Sequence, residues 1–293
     1  MVTVRAPATS ANLGSGFDVF GVAFDRPADV VTVERASETT IEVTGVGSEY
    51  IPTDPRKNTA GVVARELDAP AHIRIDKGVR PSSGLGSSAA SAAATAVALD
   101  ALYDRSLSDH DLVTVAAEGE AAVSGTAHAD NVAPAILGGF TVVRDDGVES
   151  VPASVPLVTV LPDIVVSTRD ARRVVPETLS MDDMVETVAS AATLTIGMYR
   201  NDPALVGRGM VESVVTPARA DLIDGYDDAI DAARTAGATG VTVSGAGPAL
   251  LAVTRPGRQR AVASATIDAF EGRGVDARAY TSSIGDGATI LRK

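Results

Sequence analysis

The 293 residues contain no cysteine and no tryptophan, and phenylalanine and tyrosine occur five times each. The missing cysteine excludes disulfides, thiolate zinc sites and a cysteine nucleophile. Scarce aromatics, 3% of the chain, and the lack of any basic run argue against a stacking platform for single-stranded nucleic acid. Lysine occurs only at Lys57, Lys77 and Lys293, never after a glycine, which excludes a Walker-type phosphate loop. No G-x-S-x-G elbow of a serine hydrolase is present. Nowhere do about 18 uncharged apolar residues follow one another. The opening MVTVRAPATS has neither the basic start nor the apolar run of a secretion signal. A cytoplasmic protein without a membrane or nucleic-acid partner is expected.

Acidic side chains number 38 against 25 basic ones, a formal charge of −13, and 45% of residues are apolar. Such a chain folds, and its length suits one large domain or two ordinary ones. The acid is mostly aspartate and the base almost all arginine. This pattern resembles halophilic surfaces, where concentrated counterions screen like charges.

Val2 and Val4 alternate with polar neighbours, and residues 30–34 and 40–43 repeat that period, which predicts strands. A helix is predicted from Asn58 to about Leu67, a strand over 72–76 and an alanine-rich helix over 88–103. Ser108 with Asp111 three residues later reads as a capping box opening a helix to about Val123, and residues 128–134 are expected to break it. Strands are expected at 140–144 and 157–161, then helices at 182–200, 203–214 and 225–236 and strands at 240–244, 249–254 and 276–281. This mixed order lacks a βαβ rhythm, so the fold class is α+β. Pro152, Pro156 and Pro162 place a boundary near residue 155, dividing the chain into 1–155 and 156–293.

The sharpest local signal is PSSGLGSSAAS, residues 81–91. Gly84 and Gly86 let main-chain N–H groups approach a ligand, while Ser82, Ser83, Ser87 and Ser88 bring hydroxyls to the start of a helix. Free N–H groups and the dipole make that start an anion site, with phosphate the natural occupant. Gly84, Gly86 and Ala89 also satisfy the dinucleotide fingerprint G-x-G-x-x-A, the mark of an NAD(P)-binding oxidoreductase. Against that reading, about seven residues separate the strand from the first glycine, where the fingerprint demands an immediate turn. Helical periodicity places Glu120 with Val113, Ala116 and Ala117 on the inner face, and Glu118 with Asp111 and Thr114 on the outer. An inward carboxylate is costly unless paired or ligating.

Three blocks together, APATSANLGSGFDVFG at 6–21, the loop at 81–91 and Ser244-Gly-Ala-Gly-Pro248, resemble the three sequence blocks of the GHMP kinase superfamily across nearly the whole chain. The first block, HADNVAPAILGG at 128–139 and STRDARRVVP at 167–176 resemble its homoserine kinase branch. The resemblance implies a ribosomal-protein-like N-terminal domain and a ferredoxin-like C-terminal domain with the site in their cleft. It implies ATP and Mg²⁺, with Pro81, Ser82, Ser83, Gly84, Leu85, Gly86, Ser87, Ser88, Ala89, Ala90 and Ser91 at the nucleotide and Ser88 and Glu120 at the metal. Asn58 and Thr59 are candidates for the adenine side, although Asn58 suits an N-cap equally.

For the acceptor, L-homoserine, the resemblance implies Arg172 and Arg219 at the carboxylate, since guanidinium grips two oxygens at once. Thr168 stands one turn before Arg172. Asn12 and Asp18 would orient the hydroxyl and ammonium, or serve the turn beside Gly14 and Gly16. His128, Asp130 and Asn131 are expected against the substrate, with Asn12, Asp130 and Asn131 nearest the chemistry. Whether Asp130 accepts a proton is left open, because a base must lie within about 3 Å of the hydroxyl. Alternatives are another GHMP kinase, for shikimate or mevalonate, and a non-catalytic nucleotide-binding regulator. Self-association, if present, is expected as a homodimer.

Overall fold

The computed structural model describes residues 1–125, 127 and 129–293, with every side chain except those of Val123 and Ser124. His128 therefore lies outside the described residues. The chain begins with β1 (Val2–Asn12), β2 (Gly16–Arg35), β3 (Thr40–Gly45), α1 (Thr59–Glu66), β4 (Ala71–Lys77), α2 (Ser87–Tyr103), α3 (Asp109–Ser124), α4 (Ala129–Leu137), β5 (Phe140–Arg144) and β6 (Gly147–Val151). It continues with β7 (Pro156–Pro162), α5 (Thr168–Arg173), α6 (Met181–Arg200), α7 (Pro203–Gly209), α8 (Val215–Ala220), α9 (Tyr226–Ala236), β8 (Ala238–Val243), β9 (Leu250–Thr254), α10 (Gln259–Glu271), β10 (Ala277–Ser283) and β11 (Thr289–Arg292).

The first sheet runs β11-β1-β2-β4-β3, with the β5–β6 hairpin paired to the other end of the long β2. Period two decides which side chains of β4 enter the core: Ala71, Ile73, Ile75 and Lys77 are all buried. Against them lies α2, whose alanines leave no side bulky enough to keep its neighbours away. Residues 89–96 of α2 are buried all round, as in a central helix. The predicted capping box at Ser108 is present, with Ser108 and Asp111 each bonded to the other's backbone N–H.

The second sheet, β10-β7-β9-β8, is wholly antiparallel. Its strands number 4-1-3-2 in chain order, with helices after the first and third, which is the ferredoxin-like arrangement. A shared core of Leu13, Phe24, Leu85, Phe140, Leu157 and Leu251 joins the two sheets. The last strand departs from a division into 1–155 and 156–293, because β11 hydrogen-bonds to β1 in the first sheet. Among the described residues, no helix is long and apolar enough to cross a membrane.

Two local expectations are corrected. Residues 129–137 form α4 instead of a break, despite Pro134. Proline removes one helical N–H, and Gly21, which has no Cβ, lies against the Asp130 carbonyl one turn earlier. The helix predicted over 203–214 ends at Gly209, because the Glu212 carboxylate accepts from the N–H groups of Val214, Val215 and Thr216 and starts α8 in its place. The elements β6, α5, α8, α10 and β11 were not anticipated.

Candidate active site

The loop before α2 is held open by conformations that few side chains allow. Gly84 and Gly86 have φ of +76° and +62°, and a Cβ on Gly86 would lie 2.0 Å from Thr9 Oγ1. Gly86 is the N-cap of α2 and offers no side-chain cap, so the first N–H groups of the helix point outward unscreened. From the second sheet's side, Ser244 Oγ donates to the Gly84 carbonyl (2.7 Å), which braces the loop with the Ser244-to-Pro248 block.

Beneath the loop sits a residue that the sequence reading passed over. The Lys77 ammonium is buried and donates to Asp29, the Ser87 carbonyl (2.7 Å) and Ser91 Oγ (2.9 Å). Asp29 also accepts from the N–H groups of Gly78 and Val79, both at 3.0 Å. Burial pushes the Lys77 ammonium below its ordinary range, while Asp29 and Glu120 oppose that shift. The alternation of Ala71, Ile73 and Ile75 was the signal that put Lys77 inside.

A cavity of about 450 Å³ opens above this network. Glu120 on α3 lines it and is 4% exposed, whereas Glu118 faces solvent, as the periodicity requires. Burial pushes the Glu120 carboxyl up to about 7, against a hydrogen bond with Ser88 and the charge of Lys77. No group of three or more His, Cys, Asp or Glu capable of caging a metal exists among the described residues. One buried carboxylate beside a hydroxyl at a helix N-terminus instead fits Mg²⁺, which commonly keeps waters and takes one or two carboxylates plus phosphate oxygens.

The opposite end of the cavity is charged in both signs. Asp18 and Arg172 form a two-pronged pair at 2.5 and 3.0 Å. The buried Arg219 donates to the carbonyls of Ala171 (3.2 Å) and Gly245 (2.7 Å), and both guanidiniums stack near the Phe17 ring. Asn12, at φ +72°, donates to the Gly245 carbonyl (2.9 Å) and accepts from the Asp18 N–H (3.0 Å), so its amide joins β1, the start of β2 and the loop between β8 and β9. Asp130 is pushed up to about 7 by burial and by the charge of Asp18, with Asn131 and Arg172 opposing. Asn131 accepts from Thr9 Oγ1 at 3.0 Å.

The cavity brings together Asn12, Asp18, Glu120, Asp130, Asn131, Thr168, Arg172 and Arg219. Asn58, Thr59 and the loop residues Pro81, Ser82, Ser83, Gly84, Gly86, Ser87, Ser88 and Ser91 line it as well. Leu85, Ala89 and Ala90 do not: their side chains turn into the core, because the first turn of α2 must seal against the sheets. Asn58 does act as the N-cap of α1, accepting from the Ala60 N–H at 3.0 Å, while also lining the cavity. Lining residues not anticipated include Tyr50, Pro52 and Lys57, on a connection whose sequence shows no periodicity.

A glycine-braced helix start and a buried acid in the cleft between these two sheets define a small-molecule kinase scaffold. Residues 56–139 match the family model described as GHMP kinases N terminal domain, and residues 194–271 match GHMP kinases C terminal. The chain belongs to the GHMP kinase family. Within it, a homoserine kinase from Halorubrum lacusprofundi is 70% identical over 293 residues, with both chains covered completely. One from Haloquadratum walsbyi is 69% identical over 291 residues, covering 99% of this chain and 100% of its own. The crystal structure of homoserine kinase from Cytophaga hutchinsonii matches with a TM-score of 0.89 at 34% identity, over 99% of this chain and 97% of that one. L. major mevalonate kinase in complex with R-mevalonate, at 17% identity and a TM-score of 0.72, shares the fold.

Proposed function

We propose that this chain transfers the γ-phosphoryl group of ATP to the side-chain hydroxyl of L-homoserine, giving O-phospho-L-homoserine and ADP in threonine biosynthesis. The observation that carries the reading is the Asp18–Arg172 pair, which lines the same cavity as the start of α2 and Glu120. A zwitterionic amino acid presents the charges this pair presents to itself: its carboxylate replaces Asp18 on Arg172 and its ammonium replaces Arg172 on Asp18. Arg219 adds fixed positive charge behind the carboxylate, and Asn12 holds the Asp18 backbone in place.

At the other end, the unscreened N–H groups of α2 and the loop hydroxyls receive the phosphates. Asn58 and Thr59 border the nucleotide beyond them. Glu120 and Ser88 would hold Mg²⁺, which when bound neutralises charge on the β- and γ-phosphate oxygens. The hydroxyl oxygen of the acceptor forms the new bond to phosphorus and gives up its proton to solvent as the bond to the ADP oxygen breaks. Phosphoryl transfer demands positioning and charge neutralisation more than covalent help. Asp130 and Asn131 border the acceptor hydroxyl.

The phosphate end belongs to a first unit of residues 1–155, completed by β11, and Arg172 and Arg219 to a second that begins at 156. The aspartate-rich, lysine-poor surface suits a salt-rich cytoplasm. A coupled ADP-release assay in molar KCl tests the reading, with homoserine, shikimate and mevalonate as acceptors. Homoserine-dependent ADP is expected. Equal or better use of shikimate or mevalonate would reject the acceptor, and ATP binding without turnover of any alcohol would make the chain a regulator.

A further inference from the structure

We propose that Thr9 is a positioning residue for phosphoryl transfer: its hydroxyl fixes the side-chain amide of Asn131 so that the NH₂ group faces the acceptor, and its backbone ties that amide to the loop before α2. The inference rests on the reading of the cavity as a phosphotransferase site. Thr9 lies in β1, opposite Ala23 of β2, and is 0% exposed. It stands behind the cavity wall, whereas Asn131 lines the cavity itself. Among the described residues the Thr9 hydroxyl makes one hydrogen bond, donated to Asn131 Oδ1 at 3.0 Å across 122 residues of sequence. Valine would fill the same space with no hydroxyl to satisfy, and a buried hydroxyl is costly without a partner. The bond to Asn131 is what the hydroxyl contributes.

Two neighbours decide how the amide is turned. An amide presents an oxygen on one side and a nitrogen donor on the other. Asn131 Nδ2 lies 3.5 Å from Asp130 Oδ1, so the carboxylate draws the nitrogen to its own side, where a carbonyl oxygen would be repelled. The oxygen is left for Thr9, which holds it. Because Thr9 stands behind the wall, the NH₂ group is the part of the amide that remains on the cavity side, with a donor for the acceptor oxygen or for the phosphoryl group arriving on it.

The same residue holds the donor end. The Thr9 N–H donates to the Leu85 carbonyl at 3.0 Å. A Cβ on Gly86 would lie 2.0 Å from Thr9 Oγ1 and 3.0 Å from Asn131 Oδ1, so glycine lets the loop close directly onto the Thr9–Asn131 bond. One strand residue thereby fixes the loop and the amide relative to each other. A misplacement of about 1 Å between reacting groups costs about 100-fold in rate.

A double-variant cycle on kcat, read by ADP release, tests the proposal. Thr9→Val is expected to lower kcat about 10-fold while the KM values for homoserine and ATP stay within about twofold. Thr9→Ser, which keeps the hydroxyl, should restore most of the rate. Asn131→Ala should cost about 100-fold, and adding Thr9→Val to it should cost nothing further. Where Thr9→Val does not fold, Thr9→Ala against Thr9→Ser makes the same comparison, because those two differ only by the hydroxyl. Losses that multiply in the double variant would make Thr9 a packing residue and overturn the proposal. An unchanged kcat overturns it too, and so does a loss that Thr9→Ser shares. If the wild type phosphorylates shikimate or mevalonate in place of homoserine, the acceptor reading fails and the cycle on that alcohol still decides Thr9. ATP binding without turnover of any alcohol overturns both.

Discussion

Where α2 begins, several polar side chains are committed to the chain itself while the first N–H groups of the helix are not: Ser83 and Ser87 donate to the Arg80 and Val79 carbonyls, and Lys77 and Asp29 are paired with side chains 1% and 0% exposed. At the proposed acceptor end the Asp18–Arg172 pair has side chains 44% and 39% exposed, drawn from the start of β2 and from the short helix α5. The contrast separates two uses of charge. A buried pair is costly to break, because the survivor is left desolvated. A half-exposed pair is worth little to stability, so a ligand of matching charge can take either partner's place.

The largest effect expected at the phosphate end is on turnover. Glu120→Ala should lower kcat by about 100-fold or more with the fold retained; near-normal steady-state rates would remove Glu120 from the metal site. Next comes the buried pair. Lys77→Met should destabilise the protein by about 3–5 kcal/mol, and adding Asp29→Asn, which keeps acceptors for Gly78 and Val79, should recover part of that loss in denaturant titrations. No difference between single and double variants would mean that the pair acts only as hydrogen bonds.

At the acceptor end, Arg172→Ala should raise the KM for homoserine about 10- to 100-fold, the scale of a lost charge-assisted bond. The KM for ATP and the melting temperature should barely move. The reverse pattern, a raised KM for ATP, would exchange the assignments of the two ends. Arg219→Ala should cost stability as well, because Arg219 is buried and bonded to two carbonyls.

The smallest effect expected is on pH dependence without metal. Burial in the folded chain raises both Glu120 and Asp130 to about 7, well above the ordinary carboxyl range. Between the ordinary carboxyl range and about pH 7 the folded chain binds more protons than the unfolded one, so their contribution to stability falls as pH rises and is lost above about 7. Thermal melts in EDTA at pH 5.5 and 8 should show the higher midpoint at 5.5. Asp130→Asn should shrink the difference, and an unchanged difference would assign it to other groups.

Much of this contrast can be read along the chain. Glu120 was recognisable as inward because a helix repeats every 3.6 residues and the apolar positions around it are unambiguous. Gly84 and Gly86 announced a bend whose backbone conformation excludes most side chains. Lys77 was missed although its strand alternates cleanly, since a lysine on an apolar face reads as the strand's end unless its acid is known. Asp29 is that acid, 48 residues earlier. Pro134 misled for the opposite reason: a local helix-breaking rule was outweighed by the fit of Gly21 against α4.

Composition, periodicity and the glycine-serine bend settle the α+β class, the inward acid and the bend that opens α2, because each depends on neighbours within a turn or two. The pairing of Asp18 with Arg172, of Lys77 with Asp29, and the return of β11 to the first sheet arise only when distant segments meet. Their partners are chosen by packing between the two sheets, which no local spacing encodes.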